Sequence, residues 1–194
     1  MAVKLPRTIR LDRSDTLVFE RPAEPGEWAV PGGFMFWDVD PATLKGKRRQ
    51  AFRAGFLGLT SFGWSTLVTV TEASAEDEQV AIAQLAEYLM REHGAPDRAA
   101  AEAAAKEEIG FAASLCDHPA GTLIALERSV GADGEVRERF RTLKPAPRQR
   151  AAFDQPWVRP IGVVAEDGED DSPGEVQLDL VGLAEADKGA KDRE

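Results

Sequence analysis

Cys116-Asp-His118 sets a thiol and an imidazole two residues apart, the pairing that a thiolate nucleophile or a metal site would use. Cys116 is the only cysteine and His93 the only other histidine. A zinc or iron–sulfur site therefore lacks ligands, and an internal disulfide cannot form. The pair reads as a core-facing cysteine followed by a surface histidine. Gly63-Trp-Ser65 sets a serine two residues beyond a glycine, but Leu67 stands where a nucleophile turn would close on a second glycine, and the serine falls inside a strand-like run. No Walker-type phosphate loop and no dinucleotide glycine fingerprint is present, so no cofactor and no metal is expected.

Two other sets of residues remain as candidates. Arg137, Arg139 and Arg141 alternate with Val136, Glu138 and Phe140, which puts three guanidiniums on one face of a strand. With Lys144, Arg148 and Arg150 beyond them, they could hold phosphates or carboxylates bidentately. The ordinary alternative is a solvated edge protected from aggregation by its charge. Trp28, Trp37 and Trp64 form the second set, and a pocket near them lined by carboxylates and arginines would suit a small-molecule enzyme.

Trp28 with the Pro31-Gly-Gly33 turn resembles the entry strand of Nudix hydrolases, and Glu107-Glu-Ile-Gly-Phe111 resembles the end of their metal-binding helix. The same alignment puts Ala103 and Ala104 where that helix needs arginine and glutamate. It puts Leu89 and Ala95 at the upstream glycine and glutamate, and it leaves about seventy residues between turn and helix. Two adjacent glutamates do not supply the converging oxygens that magnesium needs. Nudix chemistry is set aside on these grounds.

The elements that must position these residues follow from periodicity and punctuation. Lys4 to Leu11 and Thr16 to Glu20 read as strands joined by an Asp12–Asp15 turn. Phe34 to Trp37 reads as a short strand buried on both sides. A helix is expected over Lys47 to Leu57 and one long strand over Phe62 to Glu72. Ser74 with Asp77 resembles a capping box ahead of Ile82, Leu85, Ala86, Leu89 and Met90 at helical spacing, stopped by Gly94. Pro96 and Asp97 open a second helix to about Cys116, so the two form an antiparallel hairpin. Gly131-Ala-Asp-Gly134 sits between alternating runs, Thr122 to Val130 and Glu135 to Leu143, as a β-hairpin turn. A strand over Ile161 to Ala165 and one more element over Glu175 to Leu183 complete the reading. The order predicts an α+β domain over residues 1–165, an antiparallel sheet with a helical hairpin on one face.

Charge is unevenly placed. From Glu166 to Glu194 there are eleven acids and three bases, whereas the rest of the chain is close to neutral despite an overall charge of −10. Glu135 to Arg159 holds seven bases against three acids. A basic segment thus precedes an acidic and partly disordered tail (residues 166–194) that could shield it. A near-neutral body disfavours nucleic acid as a partner. No apolar run is long enough to span a membrane, and no leader of signal-peptide type is evident, so a cytoplasmic protein is expected.

Leu5 to Asp12, Gly26 to Gly32, Phe62 to Leu67, Gly121 to Leu126 and Arg139 to Leu143 together resemble an uncharacterised family of small bacterial proteins over residues 3–145. That family has no assigned activity. Its loose association with ligase-like and molybdenum-enzyme accessory genes implies a helper for a cofactor-dependent enzyme. The reading is a non-enzymatic accessory or binding protein whose partner is another protein or a small anionic ligand. The alternatives are the tryptophan-lined enzyme and a structural subunit of a larger assembly. The oligomeric state is left open.

Overall fold

The computed structural model describes residues 3–145 and the strand Val163–Glu166. The expected element over Glu175 to Leu183 and the acidic tail lie outside the described residues.

An antiparallel sheet of five strands runs in the order β1 (Val3–Ile9), β5 (Leu67–Ala73), β6 (Leu123–Val130), β7 (Val136–Pro145) and β8 (Val163–Glu166). A second sheet pairs β2 (Ala29–Val30), β3 (Phe56–Gly58) and β4 (Trp64–Ser65). A bridge between Arg7 and Trp28 joins the two, so β1 has β5 on one edge and the lead into β2 on the other. Ala29 and Phe56 from the small sheet meet Val68, Val70, Ile124, Leu126 and Cys116 in one apolar cluster. This is an α+β fold with antiparallel sheets, as the element order predicts.

The helical hairpin consists of α3 (Ala75–Glu92) and α4 (Arg98–Ser114). Ser74 Oγ accepts from the Asp77 amide at 3.1 Å while the Asp77 carboxylate accepts from the Ser74 amide at 2.9 Å, a reciprocal capping box. Asp97 accepts from the Ala100 amide at 2.8 Å and starts α4. Leu85, Leu89, Ala105 and Ile109 are buried in the larger cluster together with Leu5 and Ala73 of the sheet.

Four local expectations are corrected. Thr16–Glu20 is not a strand; Ser14–Val18 forms a short helix, α1, because Asp12 accepts from the Ser14 amide and Asp15 is anchored on Thr66. Gly33–Phe36 is a 3₁₀ turn, since Gly32 takes φ +71° and reverses the chain where a Cβ would lie 2.7 Å from Leu57. Phe34 and Phe36 are buried there, but Trp37 is 81% exposed. The helix expected to reach Leu57 is α2, Gly46–Ala54, and its last turn gives way to β3. The long strand over Phe62–Glu72 is broken at Thr66, where Asp15 accepts from both the Thr66 amide and hydroxyl, and β4 and β5 enter different sheets.

Candidate binding clefts

Among the described residues, Arg128 is the charged residue that the fold buries most deeply, at 2% exposure. It lies on β6 beyond Ala125, where the pairing with β5 stops, and its side chain points to the inner row with Ile124 and Leu126. Four groups receive its guanidinium. Nε donates to Glu138 Oε1 at 2.6 Å, Nη1 donates to the Phe52 and Gly55 carbonyls at 3.0 and 3.3 Å, and Nη2 donates to the Pro31 carbonyl. Phe52 and Gly55 belong to the end of α2, so the cation satisfies carbonyls that the helix leaves without partners. Burial pushes the Arg128 pKa down, and Glu138 opposes that shift.

This ion pair floors a cleft of about 450 Å³. Phe34, Trp37 and Phe111 contribute aromatic rings to its lining, and Val136 and Glu108 line it as well. Trp37, Phe111 and Val136 are also among the exposed large apolar residues, so the rim offers apolar surface to solvent. Glu108, on α4, has a raised pKa: burial is the main cause, and the nearby Glu138 carboxylate adds to it while Arg128 works against it. Gly33 permits the close approach of the turn to this floor, because a Cβ there would lie 3.3 Å from Glu138 Oε1.

A second cleft, of about 360 Å³, is lined by Arg21, Lys47 and Arg48 together with Phe62 and Tyr88. A third, of about 350 Å³, lies between α2 and the β6–β7 hairpin at Arg53, Glu127 and Arg141.

The residues singled out in the sequence are dispersed among these places. Trp37 lines the first cleft and Trp64 the second, whereas Trp28 lies under the Arg7 guanidinium, 4.5 Å from the ring centre. The three tryptophans therefore do not share one cavity. Arg137, Arg139 and Arg141 do share a face of β7, opposite Ser129, Glu127 and Ala125 in register. Their charge is partly matched at home: Asp133 accepts from Arg137 at 2.6 Å, and Glu127 lies 3.3 Å from Arg141. Such exposed pairs contribute little to stability, but they compete with any external anion. Ser65 is buried, and its hydroxyl donates to the Leu67 carbonyl at 2.8 Å. Cys116 is buried, and burial pushes its thiol up to about 11, while His118 is exposed. Among the described residues, no group of three or more histidines, cysteines and acids could hold a metal.

Arg128 escaped the sequence reading, and Glu138 was seen only as the residue behind the arginine face. The turn from Gly131 to Gly134 carried the missing signal. It sets Ser129 opposite Arg137 and hence Arg128 opposite Glu138, a charged pair inside an apolar alternation. The fold also brings Pro31, Gly33 and Glu108 to one cleft although they are distant in sequence, but Ala103 and Ala104 leave that constellation without a ligand set.

Residues 1–156 match the family of unknown function DUF6505. No curated protein and no solved structure matches the chain. Among the described residues, no helix is long and apolar enough to cross a membrane.

Proposed function

We propose, from the premise that the chain belongs to this family of unknown function and inherits no activity with membership, that it is a non-enzymatic binding protein. Its recognition site is the Trp37 cleft, and its partner is a protein that inserts a cationic side chain carried on an apolar segment. The observation that carries this reading is the combination of an exposed tryptophan and two acids in the lining of one cleft. Glu108 and Glu138 against Arg128 leave the cleft one negative charge when both acids are ionised. The faces of Trp37, Phe34 and Phe111 attract a cation at about 0.5–2 kcal/mol per contact, depending on solvent exclusion. Aromatic rims of this type concentrate binding energy in protein–protein contacts.

The lining supports binding more than catalysis. It contains no serine, cysteine, histidine, lysine or tyrosine, and Arg128 already has four partners. A small-molecule enzyme is the second reading, favoured by one observation: the raised pKa of Glu108 suits a general acid. A basic face for an anion on Arg137, Arg139 and Arg141 has less support, because Asp133 and Glu127 accompany it.

Cation binding favours the ionised form of Glu108, so affinity must rise with pH through that group's titration. Calorimetric titration with benzylguanidinium, an aromatic cation, tests the reading between pH 4 and 8. The expected result is affinity that increases with pH in the wild type and a flattened dependence in Glu108→Gln. Affinity that falls with pH, or no binding at pH 8, overturns it.

A further inference from the structure

The second cleft has the opposite charge and a different construction. Arg21, Lys47 and Arg48 project into it with a single acid, Glu20, leaving two positive charges. None of the three cations has an ion-pair partner among the described residues, in contrast to Arg128, Arg137 and Arg141. All three are exposed, so together they give the cleft a positive field that attracts an anion.

The rest of the lining is largely aromatic. Phe62 and Tyr88 stack with their ring centres 3.8 Å apart and their planes within 11°. Met35, Phe36 and Trp64 form the apolar floor, and Trp64 is tilted on Phe36 at 5.3 Å. Phe62 holds its ring there from a backbone at φ +51°, and it is the one described residue other than glycine with positive φ. A bulky residue gains nothing locally in that region, and the conformation persists only where surrounding structure enforces it. Its neighbour Gly63 is pressed against the Pro22 carbonyl group, where a Cβ would lie 2.6 Å away, so the loop has little room to relax. Phe62 is thus kept at the cleft wall against its own preference.

We propose that this cleft is a binding site for a small aromatic anion, an aryl phosphate or aryl carboxylate. The anionic group sits among Arg21, Lys47 and Arg48, and the ring lies on the Phe62–Tyr88 wall. The cleft's size suits one ring with its charged head rather than a polymer. A cation-rich mouth over an apolar floor selects against both the free inorganic ion and the neutral arene: the first loses the floor, the second loses the charge.

The probe is phenyl phosphate, with inorganic phosphate and phenol as the two partial ligands, titrated calorimetrically into the full chain at low and at physiological salt. Phenyl phosphate is expected to bind saturably and about tenfold more tightly than either partial ligand, which corresponds to about 1.4 kcal/mol from the ring contact or from the charge-assisted hydrogen bonds that each partial ligand lacks. Added salt weakens it. Lys47→Gln with Arg48→Gln, both at exposed positions and so compatible with folding, weakens phenyl phosphate and loses its preference over phenol at an unchanged melting temperature. Arg137→Ala with Arg141→Ala keeps it. Equal affinity for phenyl phosphate and inorganic phosphate overturns the proposal, as does binding that survives the Lys47 and Arg48 changes or disappears with those on β7. Phe62→Leu separates the two walls: it should lower affinity for phenyl phosphate and leave inorganic phosphate unaffected.

Discussion

Arg128 and Glu138 face each other across the β6–β7 hairpin with Nε and Oε1 2.6 Å apart, and the same guanidinium reaches the carbonyls of Phe52, Gly55 and Pro31. One cation therefore ties the hairpin to the end of α2 and to the turn that carries Trp37. Substituting it strands a carboxylate and three backbone acceptors at once. Arg128→Met should cost about 3–5 kcal/mol of stability, the usual penalty for removing one partner of a buried pair. Glu138→Gln keeps an acceptor at the same place and should cost about 1–3 kcal/mol. Urea denaturation of the two single variants and the double variant checks this, and the double should cost less than the sum of the singles.

Glu108 gives a pH-dependent prediction. Its pKa is raised above the ordinary carboxyl value in the fold, so the protonated form favours folding. That contribution is complete below the unfolded-state pKa and is lost as pH rises through the folded-state value. Glu108→Gln, which mimics the protonated form, should raise the melting temperature at pH 7 and have little effect at pH 4. A variant less stable than wild type at pH 7 contradicts this sign.

Much of the α+β plan was legible because local chemistry and tertiary context agreed. Ser74 and Asp77 cap a helix in any setting, and Gly131 to Gly134 turn a hairpin whatever surrounds it. Thr16–Glu20 and Phe34–Trp37 were misread because long-range contacts decide them: Asp15 is held by Thr66, and Gly32 folds the turn against Leu57. The candidate site was only half legible for the same reason. Trp37 stood out as a residue type, but Arg128 acquires its meaning from three carbonyls more than seventy residues earlier in the chain.

Leu85 is fully buried in the α3–α4 cluster, within one of the elements that periodicity located best. Leu85→Ala should destabilise the protein by about 2–5 kcal/mol, read as a lower denaturation midpoint at unchanged slope. An unchanged midpoint would mean that the hairpin does not pack as described.

Cys116 should be chemically silent in the folded protein. Burial raises its thiol to about 11, so at pH 8 little of it is the reactive thiolate. Alkylation by iodoacetamide at pH 8 should be slow in native buffer and fast in urea. Rapid native labelling would place the thiol outside the core.

Cation binding in the cleft that Trp37 lines can be read at the tryptophan itself. The most direct measurement follows the four indole N–H resonances in a proton–nitrogen correlation spectrum during titration with benzylguanidinium, the Trp37 signal being assigned by its loss in Trp37→Phe. A saturable shift dominated by Trp37 is expected, with Trp28 and Trp64 nearly stationary, and its loss in Trp37→Ala followed through a Phe111 ring-proton signal. A Trp37 indole that does not move, or one that moves no more than the others, contradicts it.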